Sequence, residues 1–386
     1  SMKRAVVVDC VRTPIGRAHP EKGWFREVRS DDLAVAAIEA LVRRSGIDPA
    51  EIEDVVLGNT QQQGEQGLNA ARTIGLMAGL PLASGGTTVN RLCGSSLQAL
   101  NQATHAIAAG AEDCQIVGGL EHMQHLPMEA GLDLNPRLFR RTSKAALHMG
   151  VTAEFLAQTQ GIGREDQDRF ALRSHQRASV AQAAGEFAAE IVPVHGRDET
   201  GRRFLVDRDQ CVRPDTSLEA LAALKPAFMP VLGTVTAGNS SPLNDGAAAM
   251  LVMSEEKARS LGLKPMARIL ATAVAGVDPA VMGTGPVPAT EKVLKRAGLT
   301  LKDVDLIELN EAFAAQALAC MRMLRLDEQK VNVRGGALAI GHPLGASGAR
   351  IATTLLHNLV AHNAAIGLAT MCIGVGQGIA TLFERV

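Results

Sequence analysis

Thr87-Thr88-Val89-Asn90-Arg91-Leu92-Cys93-Gly94-Ser95-Ser96-Leu97-Gln98-Ala99-Leu100 is the stretch on which the reading of this chain turns. A β-branched run comes first, then a turn, then apolar residues at helical spacing (Leu97, Leu100, Ala103, Ile107). The pattern predicts a strand, a sharp turn and a helix, with a thiol at the helix N-terminus. Unpaired N–H groups and a partial positive charge at such a terminus favour thiolate over thiol and can hold a developing oxyanion. The other reading of Cys93 is a small buried residue that only fills space.

Around this stretch the same grammar repeats. Residues 4–10 and 113–119 and the segment Val55–Asn59 read as strands, and residues 31–45 and 68–79 as helices. Strands alternating with helices argue for a parallel sheet with helices packed on it. Residues 120–245 differ: they carry His122, His125, a basic run (Arg137, Arg140, Arg141, Lys144) and a charged helix expected from Arg164 to about Ala189. After residue 265 the first pattern returns, with strands predicted over 267–274, 304–309 and 365–371, and helices over 289–297, 311–325 and 349–360. Cys93-Gly94-Ser95-Ser96 leads by a helix to the 113–119 strand, and Gly345-Ala346-Ser347-Gly348 leads by a helix to the 365–371 strand, at an offset of about 252 residues. An internal duplication would set the two helix starts face to face and bring Cys93 near the glycine-rich loop that contains His342. The expected division is an N-terminal half (1–119 plus about 246–264), an inserted loop domain (120–245) and a C-terminal half (265–386).

With 386 residues the chain exceeds what one core usually covers. Its net charge of −1 offers no basic field for nucleic acid or an anionic membrane, and 3% aromatic content leaves few base-stacking platforms. The six cysteines are scattered without a CxxC pair, which fits neither a disulfide framework nor a zinc site and points to a reducing compartment. Ser1 ahead of Met2 reads as an expression scar, and Lys3-Arg4 followed by Ala5–Val8 is too short for a signal h-region. The last residues are no peroxisomal address, and no apolar run reaches ~20 residues, so no integral membrane segment is expected.

A nucleophilic thiol needs a base, because an ordinary thiol with pKa ~8.5 is only a few per cent thiolate at pH 7. His342, in Gly341-His342-Pro343, is the histidine that sits in a glycine-rich loop at a helix start. Cys372 ends a buried strand and precedes Gly374, whose N–H is free to face a ligand oxygen; strand ends followed by glycine loops are common contact points in α/β folds. Asn310 follows the 304–309 strand and serves either as a helix N-cap or as a site residue. Cys10, Cys114 and Cys320 fall in apolar elements and read as core. Cys211 sits in a polar loop and is assigned no role.

Four motifs together, Asn90–Ser96, Asn310-Glu311-Ala312-Phe313, Gly341-His342-Pro343 and Cys372-Ile373-Gly374, resemble those of the thiolase family in order and approximate spacing, over essentially the whole chain. The resemblance implies an α/β fold of two duplicated βαβαβαββ halves in an α/β/α/β/α layering, with an inserted loop domain that binds coenzyme A. It implies thiolytic cleavage of a 3-ketoacyl-CoA by CoA in fatty-acid β-oxidation. Cys93 would be the acyl-carrying nucleophile, His342 its base and Cys372 the acid/base at the acetyl α-carbon. His342 with an Asn310-held water, and the N–H groups of Cys93 and Gly374, would form two oxyanion holes. For CoA the family-like positions are Arg213, Phe228, Ser241, His148, Met149, Ala312 and Phe313. Coenzyme A enters as a substrate, with no tightly bound cofactor and no metal. A cytoplasmic homodimer is implied, joined to a hydratase/dehydrogenase α subunit in a two-plus-two complex. Rival readings are a short-chain acetyl-CoA acetyltransferase running the condensation, a β-ketoacyl synthase (which needs two active-site histidines, where Cys372 stands instead), and a non-catalytic acyl-CoA or lipid carrier.

Overall fold

The structure, a computed structural model, describes residues 2–386; Ser1 lies outside them. The N-terminal half runs β1 (Ala5–Arg12), β2 (Gly16–Arg17), α1 (Ser30–Ser45), β3 (Asp54–Gly58), α2 (Ala70–Met77), β4 (Thr87–Val89), α3 (Ser95–Ala109) and β5 (Cys114–His122). A long excursion follows, with α4 (Met149–Thr159), α5 (Arg164–Ala183), a small hairpin β6 (Val194–Arg197) and β7 (Arg203–Val206), and α6 (Leu218–Ala222). The chain then returns as β8 (Asn244–Ser254) and α7 (Glu255–Ser260). The C-terminal half comprises β9 (Ala267–Gly276), α8 (Pro286–Ala297), β10 (Leu306–Leu309), α9 (Ala314–Leu324), α10 (Ala337–Ile340), α11 (Leu344–Ala361), β11 (Ile366–Ile373) and β12 (Gln377–Arg385).

The duplication is visible in the sheet order. The N-terminal half is ordered β1-β8-β5-β3-β4 and the C-terminal half β9-β12-β11-β10. Where β4 pairs in parallel with β3, the C-terminal half has a single parallel bridge from Val331 to Ile307 of β10. The half-sheets meet along a seam of two residue pairs, Val6 with Arg268 and Val7 with Ala267.

Three cores explain the layers. Val6, Val8 and Val11 of β1 and Ala247, Ala249, Leu251 and Met253 of β8 face α1 and α2. Their alternate residues, Val7, Cys10, Met250 and Val252, face a central layer made by α3 and α11. From the opposite side Ala369, Met371 and Ile373 of β11 and Ile379 and Phe383 of β12 cover the same two helices. Leu368, Ala380 and Leu382 turn outward onto α8 and α9. The result is α/β/α/β/α. Because both faces of each half-sheet are buried, these strands read as near-continuous apolar runs.

Small residues let the central layer close. A Cβ on Gly119 would lie 2.0 Å from the Gly345 carbonyl oxygen, and one on Gly348 2.3 Å from the Leu97 nitrogen. The N–H of Ala349 donates to Ser96 Oγ at 2.8 Å, so the starts of α3 and α11 do face each other.

Several element boundaries differ from the sequence reading, and three of them bear on the site. α5 stops at Ala183 rather than near 189, where Gly185 adopts φ +72° and ends the helix. α9 begins at Ala314 rather than 311, because Phe313 is extended and Ser240 bridges to it. α11 begins at Leu344, so Gly345 and Gly348 lie inside its first two turns as contact points instead of in a loop before it.

Candidate active site

The strand-to-helix turn at Cys93 is tight. Leu92 has φ +46°, its N–H donates to Asn90 Oδ1, and Ser95 Oγ donates to the Leu92 carbonyl at 2.6 Å while accepting from the Arg91 N–H. A leucine held in the left-handed region marks a turn over-determined by its surroundings. Cys93 is buried at the start of α3. Burial pushes its thiol up to about 11, and the N–H groups of Gly374 and of Cys93 itself, which face the sulfur, pull the other way. These are the two donors that the sequence reading assigned to one oxyanion hole.

Gly374 lies in the turn between β11 and β12, where Val375 and Gly376 both take positive φ. Cys372, just before it, is buried and its thiol lies well above its ordinary value through burial and then through the neighbouring Cys93 and Cys320 sulfurs. The two cysteines therefore share one site, although they stand in different halves of the chain.

His342 follows Gly341, which has φ +121° and ends α10. The ring is buried, and burial, then Arg350, pulls its pKa down to about 3. Its Nδ1 lies 2.5 Å from Ser347 Oγ, and that hydroxyl donates to the Pro343 carbonyl at 2.8 Å. A serine has one hydrogen to give. Spent on Pro343, it leaves the oxygen as acceptor, which favours the tautomer of His342 that carries its proton on Nδ1 and presents a lone pair on Nε2. Asn310 is no helix cap: the N-cap of α9 is Phe313. Its Nδ2 sits 3.4–3.5 Å from the His342 ring nitrogens, and its buried Oδ1 has no hydrogen-bond partner among the described residues. Positive φ thus occurs in all three turns that present Cys93, His342 and Gly374.

An apolar wall surrounds Cys372: Ala312, Phe313, Val235, Met282 and Ala153, with Met149 and Phe228 partly buried against it. Phe228 packs edge-on against both His148 (5.7 Å) and Phe313 (6.2 Å), and Gly150 lies flat beneath its ring. The N–H of Ser241 donates to the Ala312 carbonyl at 2.9 Å. Six of the seven proposed CoA positions therefore cluster beside the sulfurs. Arg213 is exposed and its N–H donates to His175 Nδ1 on α5. Met321 and Leu324 belong to the core under α9, and the basic residues of the 137–144 run are exposed.

Several supporting residues escaped the sequence reading. Glu121, buried on β5, accepts from Thr60, Asn59, Gln66 and the Gly345 N–H of α11. Behind His342, Arg350 lies 3.8 Å from Glu308, whose carboxyl burial raises to about 8; further back Arg12 pairs with Asp209 and Glu190. A charge inside an otherwise apolar run (Leu120-Glu121, Arg350-Ile351) was the available signal; Asn244 and Ser347 gave none. Glu65, His122 and His125 place ligand atoms within 4.8 Å of one another. Both Nε2 atoms, however, donate to the Phe25 and Arg26 carbonyls, and the His125 N–H occupies His122 Nδ1. The rings stack at 3.4 Å and 10°, so their in-plane lone pairs run parallel and do not converge on one ion. The group is a polar staple that ties the 122–125 turn to residues 25 and 26.

The sequence profile of the thiolase N-terminal domain matches residues 5–256, and that of the C-terminal domain residues 263–385. The chain belongs to the thiolase family. Among curated relatives, the 3-ketoacyl-CoA thiolases of Aeromonas hydrophila and Shewanella frigidimarina are 56% and 57% identical over 389 residues, covering 100% of both chains in each case. Among solved structures, the acetyl-CoA acetyltransferase of Bacillus anthracis superposes with a TM-score of 0.91 at 40% identity, covering 100% of both chains. Human mitochondrial 3-ketoacyl-CoA thiolase superposes with a TM-score of 0.91 at 38% identity, covering 100% of this thiolase and 99% of the human chain.

Proposed function

We propose that this thiolase is a 3-ketoacyl-CoA thiolase, an acyltransferase of fatty-acid β-oxidation that cleaves 3-ketoacyl-CoA with CoA to acetyl-CoA and an acyl-CoA two carbons shorter. What supports the roles is that Cys93 and Cys372 are neighbours, that Asn310 lies against the His342 ring, and that the helix starts carrying Cys93 and following His342 face each other. His342 Nε2 takes the Cys93 proton, and the thiolate attacks the 3-keto carbon. The N–H groups of Cys93 and Gly374 hold the tetrahedral oxyanion; losing one such donor typically costs ~10²–10³ in rate. Carbon–carbon cleavage leaves the acyl group on Cys93 and the enolate of acetyl-CoA, whose oxygen rests against protonated His342 and an Asn310-held water. Cys372 protonates the enolate carbon and acetyl-CoA leaves. Free CoA, deprotonated by Cys372, attacks the Cys93 thioester and releases the shortened product, which is ping-pong chemistry. The steps are carbon–carbon cleavage to an enolate, acyl transfer between thiols and proton transfer, none of which is a net oxidation or reduction, so CoA serves as substrate and no resident cofactor or metal is required.

In the resting site both thiols and the imidazole are neutral, since burial disfavours each charged form. The ionised pair forms as the substrate carbonyl enters the ring of donors. Residues 120–245 act as the loop domain that holds CoA, through Phe228, Ser241, His148 and Met149 at the pantetheine end and Arg213 at the mouth, with Ala312 and Phe313 of the C-terminal half beside them. A homodimer joined to a hydratase/dehydrogenase α subunit in the cytoplasm is the setting that this activity implies. No helix among the described residues is long and apolar enough to cross a membrane.

The second reading, a short-chain acetyl-CoA acetyltransferase, has in its favour the Bacillus anthracis structure at 40% identity. The 55–57% identity to curated 3-ketoacyl-CoA thiolases weighs against it. Intact-mass analysis after mixing with hexadecanoyl-CoA tests the first reading: one acyl adduct, mapped to Cys93 and absent in Cys93→Ala. An adduct elsewhere, or thiolysis confined to the four-carbon substrate, would overturn it.

A further inference from the structure

His342 is fixed at two points. Ser347 fixes its ring; the second point is its backbone N–H, which donates to the side-chain oxygen of Asn244 at 2.8 Å. Asn244 opens β8, is fully buried, and comes from the other half of the molecule, 98 positions away. We propose that Asn244 is a positioning residue for His342, holding the Gly341-His342-Pro343 turn at the height from which Nε2 reaches Cys93. The proposal rests on the reading of His342 as base.

The local geometry carries it. The chain leaves α10 at Gly341, whose own N–H still closes the helix on Ala337. His342 would continue that helix if its N–H found the next carbonyl. It finds Asn244 Oδ1 instead, and the chain turns out into the site. A buried N–H without a partner is costly, so removing the acceptor favours a return toward the helical path. Gly341 is shaped to this contact: a Cβ there would lie 2.6 Å from Asn244 Cγ and 2.7 Å from Ile15 Cγ2. The amide lies flat against the glycine, which a side chain would prevent.

The amide is also held so that it cannot flip. Its Nδ2 donates to the Gly16 carbonyl at 3.0 Å and approaches Cys211 Sγ at 3.5 Å, two acceptors, while Oδ1 faces the one donor. The backbone on either side is committed as well. Asn244 pairs with Arg17 of β2, its carbonyl accepts from the Met123 N–H, and Asp245 next to it faces His122. Asn244 thus ties the catalytic turn to β2 and to the 209–213 segment through its side chain and to the turn after β5 through its main-chain carbonyl, all of which belong to the N-terminal half or its insertion.

The test compares wild type, Asn244→Ala and Asn244→Asp by two readouts: the acylation rate of Cys93 by acyl-CoA, and the rate at which iodoacetamide alkylates Cys93, resolved by peptide mass across pH. The second depends on the base and not on the thiolase reaction. In Asn244→Ala both rates are expected to fall about 10- to 100-fold, with KM for acyl-CoA changed less than about threefold. Asn244→Asp keeps the acceptor for the His342 N–H and adds a carboxylate beside it. It is expected to recover most of both rates at its optimum, with the acidic limb of the profile moved to higher pH, because the negative charge favours the imidazolium. Wild-type rates in Asn244→Ala would overturn the proposal. So would equal losses in both variants that track a fall in Tm without a shifted profile. If wild type takes no acyl group while its alkylation still slows in Asn244→Ala, the positioning role stands and the thiolase reading falls.

Discussion

Replacing Ser347 by alanine tests how His342 is armed. The hydroxyl donates to Pro343 and accepts from Nδ1 at 2.5 Å, which favours the ring proton on Nδ1. In Ser347→Ala the ring, buried beneath α11, has two choices. It keeps the proton on Nδ1 without an acceptor, at a cost of about 1–3 kcal/mol for a buried unsatisfied donor. Otherwise it moves the proton to Nε2 and removes the base. Either way the reactive tautomer is raised by about 1–3 kcal/mol, or roughly 5- to 150-fold in rate. The assay is rapid-quench mass spectrometry of Cys93 acylation alongside steady-state thiolysis, with Tm measured on the same samples. The kcat and the acylation rate are expected to fall together by that factor, while KM for CoA stays within about threefold. A variant that acylates Cys93 at more than half the wild-type rate would show that the tautomer is set by something else.

Cys372→Ala is expected to accept an acyl group on Cys93 at a near-normal rate yet release no acetyl-CoA from a 3-ketoacyl substrate; acetyl-CoA release measured in the same quench decides it. Gly119→Ala is expected to lower the urea midpoint by an amount equivalent to at least about 1–3 kcal/mol, because its Cβ would sit 2.0 Å from the Gly345 main-chain oxygen and must displace the start of α11; an unchanged midpoint contradicts the close packing. Stability should also peak near neutrality. His342, His122 and His175 are pulled down by burial to about 3, 4 and 4, so below ~6.5 the unfolded chain binds protons that the native state refuses. Asp245 and Glu308 are pushed up to about 7 and 8 and hold protons that the unfolded chain releases above ~4. Below pH ~6.5 the three histidines make stability fall with acidification, while the raised carboxyls of Glu121, Asp245 and Glu308 oppose them. Above pH 7 Asp245 and Glu308 reverse the slope. Urea midpoints across pH 4.5–8.5 that rise steadily toward acid would refute this.

The alternation of apolar strands and helices and the matched Cys93 and Gly345 segments were enough to read the duplication, because both faces of each half-sheet are buried and the strands advertise themselves as unbroken apolar runs. The turns that carry Cys93, His342 and Cys372 were legible for a related reason: each stands where regular structure ends beside glycine. What could not be read is what holds them. Ser347 looks like an ordinary helical serine until Pro343 is seen to take its hydrogen. Asn244 lies 98 positions from the residue it holds, and no local pattern announces a bond of that span. Asn310 could be read as cap or site residue because only tertiary structure, the Ser240–Phe313 bridge, delays the helix and frees the amide. The basic run at 137–144 shows the opposite failure: it is conspicuous in sequence and exposed in the fold.

β8 has a consequence for how the protein is made. It lies between β1 and β5, with seven paired positions to one and nine to the other, and every residue of it is buried. Yet β5 ends at residue 122 and β8 at residue 254, so about 130 residues (254 minus 122) are synthesised in between. At ~5–20 residues per second the nascent N-terminal half waits on the order of ten seconds for its middle strand. Throughout that interval β1 and β5 hold open hydrogen-bonding edges flanked by apolar faces, the geometry that invites pairing with other chains. The long insertion between β5 and β8 therefore delays completion of the first sheet. Binding of a folding chaperone to ribosome-stalled chains should be strongest for those released between residues 122 and 254.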